Sequence, residues 1–356
     1  MRRIRLLLPM TLALAVLVAV VAGCGGSSGD SASAAGDATT EAATEASTEA
    51  TATGDRKISL VAYSTPREVY EELIPAFQGT PEGEGVEFEQ SYASSGEQSR
   101  AVEAGLPADY VAFSLEPDVT RLVDAGLVGS DWAQTEQYNG MVSDSVVVFV
   151  VREGNPKNVL TWDDLVTGEV EVVTPNPFTS GGAQWNLMAA YGAQLEQGKT
   201  EEEAVDYLRQ LLTNTPVQDK SAREALQTFS AGKGDVLLAY ENEAIFAQDA
   251  GQPIEYVVPD QTILIENPAA VTTSATPETA AWLEFVQSPE SQKVFGEHGY
   301  RPVDPDVAAQ FDFPQPAALF TIADLGGWSE VREKFFDREN GIVAGIEKEL
   351  GVPTDD

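Results

Sequence analysis

The sequence predicts an α/β protein whose folded part forms two lobes. From residue 58 onward, strand-like and helix-like stretches alternate, as they do where helices cover a sheet. The stretch 145–151, SVVVFVV, is almost entirely β-branched and apolar, as expected of a central strand covered on both faces. About 300 residues follow residue 55, which is enough chain for two lobes with sizeable cores.

Hydrophobic periodicity places the individual elements. Strands are predicted at 58–63, 86–90, 110–113, 145–151, 170–174, 235–239, 254–258 and 262–265. Helices are predicted at 68–77, 98–104, 117–125, 182–195, 201–212 and 222–231. Residues 328–350 carry an amphipathic pattern typical of a helix.

The N-terminal segment predicts export and a lipid anchor. Three arginines precede the apolar stretch 6–21, which at about 16 residues is shorter than the ~20 that span a bilayer. Residues 1–23 are therefore predicted to be a signal peptide. Residues 21–24, VAGC, resemble the bacterial lipobox, so Cys24 is the predicted lipidated residue, and the protein is expected outside the cytoplasm, anchored to the cell membrane. A plain signal peptide followed by a chance cysteine is the alternative.

Composition limits the remaining possibilities. Cys24 is the sole cysteine, which excludes an internal disulfide framework. Residues 25–55 lack aromatic and large aliphatic side chains, so 24–55 is predicted to be the lipidated cysteine with a disordered acidic linker, or alternatively an Ala/Glu helical stalk. The net charge of −36 disfavours nucleic acid and anionic lipid headgroups as partners.

The segment 174–186, TPNPFTSGGAQWN, has the features of an anion-binding helix N-terminus. A predicted strand ends there, and Ser180 stands at the N-cap position before Gly181 and Gly182. The first N–H groups of a helix lack intrahelical partners and carry the positive end of its dipole. Glycines let an anion approach them closely. An ordinary capped helix has the same pattern, so the segment alone leaves both interpretations open.

Three further stretches have the same character. Ser94–Gly96, Ser221–Arg223 and Tyr240–Ala244 each precede or open a predicted helix. Ligands of open α/β sheets bind at the carboxyl ends of strands, where such stretches lie. Their joint presence indicates one site formed by several helix N-termini.

From about residue 58 to 328 the chain resembles the sulfate/thiosulfate-binding proteins of bacterial ABC importers. The matching stretches are 91–98, 105–111, 151–157, 162–165, 174–186, 234–244 and 300–302. Thr179–Gly182 followed by Trp185–Asn186 is a specific signature, and so is Glu241–Ala244.

The resemblance implies a solute-binding receptor with a type II periplasmic-binding-protein-like fold. Each lobe would be a mixed sheet flanked by helices, with lobe 1 at about 56–142 plus 262–356, lobe 2 at about 143–261, and the ligand in the cleft between them. It implies a monomer that delivers sulfate or thiosulfate to an ABC permease, without catalysis, cofactor or metal. Molybdate, tungstate and phosphate are the alternative ligands.

The resemblance also implies the donors to the ligand. They are the backbone N–H groups of Ser95, Gly181, Gly182 and Ala222, together with the N–H and hydroxyl of Ser180. Tyr240 stands where the family usually has tryptophan, so a phenol replaces an indole. The family usually has lysine at Glu97 and Phe178 and arginine at Gln184. We expect Glu97 to point to solvent.

Two hypotheses from other classes remain. An extracellular hydrolase would need a nucleophile and a base, but His298 is the sole histidine and no Gly-x-Ser-x-Gly motif accompanies it. No paired-histidine metal spacing exists either. A relative that has lost transport and acts as a sensor or scaffold is the other alternative.

Overall fold

The computed structural model describes residues 56–354. The predicted signal peptide, Cys24 and the linker to residue 55 lie outside the described residues, and they stay sequence-based expectations. Within the described range, no helix is both long enough and apolar enough to cross a bilayer.

Nine strands and thirteen α-helices occur in residues 56–354. The strands are β1 Lys57–Tyr63, β2 Glu87–Ala93, β3 Tyr110–Ala112, β4 Met141–Arg152, β5 Val172–Val173, β6 Val236–Tyr240, β7 Ile254–Val257, β8 Gln261–Val271 and β9 Ala318–Phe320. The helices are α1 Arg67–Gln78, α2 Ser95–Glu103, α3 Glu116–Asp124, α4 Trp132–Thr135, α5 Gly181–Glu196, α6 Glu201–Thr213, α7 Ala222–Ser230, α8 Glu241–Asp249, α9 Pro277–Val286, α10 Pro289–Glu297, α11 Pro305–Ala308, α12 Gly327–Val331 and α13 Ile342–Leu350. Every predicted strand is present, with bounds that shift by a few residues.

Two long strands connect the two halves of a mixed sheet. The strand order is β2-β1-β3-β8-β4-β6-β5, with β7 paired to β4 and β9 to β8. β4 and β8 run antiparallel to each other from Met141 to Val146 of β4. They then part, because Val147–Val151 of β4 pairs with β6 whereas Ala269–Val271 of β8 pairs with β3. The predicted α/β fold, with mixed sheets flanked by helices, is confirmed.

Each half has its own apolar core. Trp282 packs with Leu60 and Tyr110 around β1 and β3, and Trp162 packs with Phe149 and Trp185 on one face of β4. Helix α5 is buried on nearly all sides, as a helix apolar all round must be. Its N-terminus consequently lies inside the molecule, against the loop that follows β3.

The C-terminal segment packs on α5 and α6 rather than on β1–β3. It contributes to the same core as Trp185, and the Trp185 and Trp328 ring centroids are 4.6 Å apart. The other buried apolar residues that this segment contributes to that core are Phe320, Ile322, Val331, Phe335, Phe336, Val343, Ala344 and Ile346. The lobe boundaries near residues 142 and 262 stay a prediction. The prediction placed the C-terminal segment in lobe 1, whereas the α5 and α6 residues on which it packs were placed in lobe 2.

The amphipathic tail is not the single helix that its pattern predicts. A π-helical turn, Arg332–Phe336, follows α12, and the chain then breaks before α13. The Asp337 carboxylate accepts hydrogen bonds from the N–H groups of Glu339 and Asn340, at 3.1 and 2.7 Å. This local bonding competes with the helix, and Gly341 precedes the restart.

Candidate functional site

The N-termini of four helices meet at one small cavity. Helices α2, α5 and α7 begin at Ser95, Gly181 and Ala222, and Tyr240 immediately precedes α8. The residue before each helix is extended, which directs the first N–H groups toward the preceding strand end. Four positive dipole ends therefore converge on the same space.

The cavity is small, with a volume of about 10 Å³, far below the usual range for drug-sized ligands. Its lining is Tyr63, Ser64, Thr65, Ser94, Ser95, Ser114, Ser180, Gly181, Gly182, Ala222 and Tyr240. The structure thus brings all six predicted ligand residues together. None of the lining side chains is a carboxylate, a lysine or an arginine. The site can offer many neutral donors to a small anion.

Four of the five backbone N–H groups that the resemblance implies as donors are unused within residues 56–354. No described hydrogen bond takes the N–H of Ser95, Gly181, Gly182 or Ala222. Ser180 differs, because its N–H donates to the carbonyl oxygen of Asn176 at 2.9 Å. Its side chain does not cap α5. The hydroxyl, rather than both groups, is therefore the donor that Ser180 presents.

Tyr240 and Ser114 form a buried hydroxyl pair. Their oxygens are 2.6 Å apart, and either can donate to the other. Burial raises the pKa of Tyr240 well above its ordinary value, so its hydroxyl stays protonated at neutral pH. Two hydroxyls carry two protons and their mutual bond uses one, so the pair retains one donor. Tyr240 thus shares its donor role with Ser114, which sequence reasoning missed.

Tyr63 is a second residue that the sequence analysis missed. Its side chain is 5 % exposed and lines the cavity. Its hydroxyl makes no hydrogen bond of good geometry in the described chain, although the hydroxyls of Thr65, Tyr300 and Ser143 lie close enough to act on its pKa. The neighbouring hydroxyls of Thr65 and Tyr300 bond to each other at 3.0 Å. Burial raises the pKa of Tyr63, which keeps its O–H as a donor. A polar group buried without a partner is destabilising, and a bound anion would satisfy it.

The Trp185–Asn186 signature supports the cavity instead of lining it. Trp185 Nε1 donates to the carbonyl oxygen of Ser114 at 2.8 Å, which ties α5 to the loop after β3. Asn186 Nδ2 donates to Thr174 Oγ1 and to the carbonyl oxygen of Leu238, both at 2.9 Å. These bonds fix the N-terminus of α5 relative to β5 and β6.

The Glu241–Ala244 signature likewise anchors α8. Glu241 pairs with Arg301 at 2.8 Å, and Glu243 pairs with Arg223 at 3.0 Å. Arg223 of α7 also contacts Glu68 of α1 at 2.6 Å and donates to the carbonyl oxygen of Thr65 at 3.1 Å. Arg223 therefore links α7 and α8 to the segment after β1.

Of the departures from the family pattern, Tyr240 lines the cavity, whereas Glu97, Phe178 and Gln184 lie around it. Glu97 is exposed, as expected, although its carboxylate accepts a 3.3 Å hydrogen bond from the lining residue Ser94. Phe178 is buried. Gln184 Nε2 donates to the carbonyl oxygen of Pro177 at 2.9 Å. None of the three side chains introduces a charge into the lining.

His298 gives no support to a catalytic interpretation. It terminates α10, and its Nε2 lies 2.9 Å from an exposed carboxylate of Glu72. It does not line the cavity. In residues 56–354, no cluster of His, Cys, Asp and Glu has the arrangement of a metal site.

Known proteins share this fold and sequence. Residues 58–301 match the model of the bacterial extracellular solute-binding protein family. A sulfate-binding protein of Synechococcus elongatus is 40% identical over 309 residues, covering 81% of this chain and 88% of that protein. A thiosulfate-binding protein of Pseudomonas aeruginosa is 34% identical, covering 78% of this chain and 88% of its own length.

A solved structure of a sulfate-binding protein is similar to this chain in both sequence and fold. The sulfate-binding protein SubI from Mycobacterium tuberculosis is 46% identical, with a TM-score of 0.76, covering 79% of this chain and 99% of that one. The chain belongs to the bacterial extracellular solute-binding proteins, in the family of sulfate- and thiosulfate-binding proteins of ABC transporters, which bind solutes and are not enzymes.

Proposed function

We propose that the protein binds sulfate, or the closely related thiosulfate, in the cavity at the four helix N-termini and delivers it to an ABC permease. One observation carries the proposal: the cavity is lined by unused hydrogen-bond donors and by no charged side chain. A fully deprotonated oxyanion accepts hydrogen bonds at every oxygen and needs no acceptor from the protein.

The proposed donors are four backbone N–H groups and three hydroxyl sources. The N–H groups belong to Ser95, Gly181, Gly182 and Ala222. The hydroxyl sources are Ser180, the Tyr240–Ser114 pair and Tyr63. Hydrogen bonds to a charged group contribute about 1.5–3 kcal/mol each. Several together give a dissociation constant in the micromolar range or tighter after the costs of binding.

The absence of an acceptor carboxylate among the lining residues provides selectivity. Hydrogen phosphate carries a proton that needs an acceptor, but the lining offers no carboxylate, and its neutral hydroxyls are weaker acceptors that are then no longer free to donate to the anion. Sulfate has no such proton above strongly acidic pH. We therefore expect sulfate to bind more tightly than phosphate by at least about one hundredfold, the effect of one mismatched buried polar contact.

The acidic surface is compatible with an anionic ligand. Net charge acts over long distances and is screened within about 8–10 Å at physiological ionic strength. The helix N-termini and hydroxyls act at hydrogen-bond distance, inside the protein, where screening is weak. The ligand is thus recognised by short-range dipoles in a chain of net charge −36.

The location of the receptor is part of the proposal. We propose that Cys24 is lipidated and holds the protein at the outer face of the cell membrane. Two or more acyl chains anchor a protein stably, whereas one binds marginally. Anchoring raises the effective concentration of the receptor at its permease. Metabolic labelling with a fatty-acid analogue, with Cys24→Ser as the control, tests this part independently of ligand binding.

Calorimetry of residues 25–356 with a panel of oxyanions tests the ligand. The panel is sulfate, thiosulfate, molybdate, tungstate and phosphate at one pH and ionic strength. We expect one equivalent of sulfate or thiosulfate to bind, with phosphate much weaker. A stronger response to molybdate or tungstate would assign the cavity to a larger oxyanion. Absence of binding by all five would contradict an anion receptor and favour a sensor or scaffold.

A further inference from the structure

A second cavity, lined by four arginines, lies beside the first. Arg100 of α2, Arg121 of α3, and Arg332 and Arg338 of the C-terminal segment line it. Asp118 is the one carboxylate among its described lining residues. We call this space the arginine cavity. Four guanidinium groups around one carboxylate are unusual in a chain with 57 acidic and 21 basic residues.

The two cavities share a wall. Gly181 lines both of them. Ser95, which lines the first cavity, donates from its hydroxyl to Asp118 Oδ2 of the second at 2.6 Å. An anion in the arginine cavity would therefore be separated from the first cavity by a single layer of residues.

Arg121 and Asp118 already form an ion pair, so their charges neutralise each other. Arg121 Nη1 lies 2.9 Å from Asp118 Oδ1 and donates to Ser99 Oγ at 2.8 Å. Its Nε lies 3.7 Å from Glu103 Oε2. Asp118 is thus engaged by both Ser95 and Arg121, so it has little capacity left to neutralise another cation.

Arg332 is the cation that lacks such compensation. It is half-buried, and among residues 56–354 it has no hydrogen-bond or ion-pair partner, whereas Arg100 and Arg338 each have interactions. Burial lowers the pKa of Arg332; the charge of Asp118 opposes this, and the charges of Arg121, Arg100 and Arg338 lower it further. Holding a partly desolvated cation among three others is unfavourable unless an anion accompanies it.

We propose that the arginine cavity is a second oxyanion subsite, at which a small dianion such as sulfate binds weakly before it moves into the first cavity. This inference rests on the proposed function and adds a loading step to it. Guanidinium groups suit this task because their planar donors match the oxygens of sulfate and phosphate. Most of the surface repels a dianion, so a local cationic cavity determines how quickly one arrives.

Transfer between the cavities requires the cleft to open. A Cβ atom at Gly181 would lie 2.8 Å from both Leu115 Cγ and Ser114 Oγ, so the shared wall is closely packed in this conformation. The loading site is therefore used when the wall separates. The inference concerns association, and the first cavity alone determines how tightly the ligand is finally held.

Stopped-flow tryptophan fluorescence measures the association rate of sulfate with residues 25–356. We expect Arg332→Gln to slow association about fivefold at low salt, and the difference to disappear near 1 M salt, where the Debye length is about 3 Å. Arg332→Lys keeps the charge and should retain most of the rate. Arg209→Gln is the matched control, because Arg209 of α6 pairs with Glu349 and does not line either cavity.

A second measurement detects the subsite directly. Gly182→Ala fills the first cavity, and equilibrium dialysis with radiolabelled sulfate should then reveal weak, salt-sensitive binding that is lost in Gly182→Ala/Arg332→Gln. Thermal melting establishes that each variant is folded.

The outcomes separate the two proposals. Loss of all sulfate binding by the unaltered chain would refute the proposed function. Tight binding by the unaltered chain, together with an unchanged rate in Arg332→Gln and no residual binding in Gly182→Ala, would refute the loading site alone.

Discussion

Gly182→Ala is the substitution that best separates ligand binding from folding. A Cβ atom at this position would meet Ser180 Oγ at 3.5 Å, Tyr240 Cε1 at 3.5 Å and Ala222 Cβ at 3.6 Å. These are ordinary van der Waals distances, so the folded chain can accept the methyl group. Because alanine favours helix over glycine, the free energy of unfolding should stay equal or rise by up to about 1 kcal/mol.

The same methyl group should prevent ligand binding. All three of its neighbours line the cavity, so the added carbon occupies the space where an oxyanion would approach the N–H groups. Loss of two hydrogen bonds to a charged ligand costs about 3–6 kcal/mol. We therefore expect sulfate affinity to fall by at least about one hundredfold, since 1.4 kcal/mol corresponds to a factor of ten.

Two other glycines supply the controls. At Gly345, in α13, an added Cβ meets nothing within 4 Å, so Gly345→Ala should leave binding unchanged. At Gly181 the methyl group would collide with Ser114 and Leu115, so Gly181→Ala should lower both affinity and thermal stability. Calorimetry and thermal melting of the three variants complete the test. Full sulfate affinity in a folded Gly182→Ala protein would refute the cavity as the binding site.

Three further predictions concern single side chains. Tyr63→Phe should weaken sulfate binding about ten- to one-hundredfold in calorimetry without lowering the melting temperature, because it removes an unpartnered buried hydroxyl; unchanged affinity would exclude Tyr63 as a donor. Glu68→Gln breaks the contact between Arg223 of α7 and α1 but leaves Arg223 paired with Glu243, so sulfate release in stopped-flow experiments should accelerate severalfold. An unchanged rate would contradict this. Asp144 has a pKa raised from 3.8 to about 7, by burial and by the charge of Glu266, against the opposing charge of Arg301. The folded state therefore binds the extra proton between about pH 4 and pH 7, and its stability falls as pH rises through that range. Asp144→Asn should be more stable than the unaltered chain at pH 8, by about 1–4 kcal/mol in urea denaturation, and equally stable near pH 4; equal stability at both would refute the shift.

The helix N-termini could be predicted from sequence because their chemistry is local. Ser180, Gly181 and Gly182 form a continuous pattern at the end of a predicted strand, and the N-cap preference of serine gives the helix start. Their convergence with Ser95 and Ala222 followed from the rule that ligands bind at strand ends. The resemblance to a known family supplied the choice of the individual N–H groups.

The remaining features depend on tertiary contacts that no local pattern records. Tyr63 ends β1, and Ser114 lies just after β3. Only the pairing of β4 with β8, which connects the two halves of the sheet, brings these residues to the N-terminus of α5. Tyr63 ends an apolar strand and therefore looks like a core residue. Polar residues directly after a predicted strand were the available signal, and the Ser64–Thr65 pair could have indicated this loop.

The arginine cavity could not be predicted for the same reason. Its cations come from α2, α3 and a C-terminal segment more than two hundred residues away in sequence. That segment was expected to be a continuous helix, whereas a π-helical turn and the Asp337 turn break it. The break determines where Arg332 and Arg338 lie, and amphipathic periodicity does not contain that information.

The pH dependence of sulfate affinity tests the central claim most directly. A cavity of protonated hydroxyls and backbone N–H groups has no lining group that titrates near neutrality, and sulfate itself stays a dianion there. Calorimetry between pH 5.5 and 8.5 should therefore give one equivalent of bound sulfate and a nearly constant dissociation constant. Affinity that changes steeply around the second pKa of phosphate, or no binding at all, would contradict recognition of a deprotonated oxyanion by neutral donors.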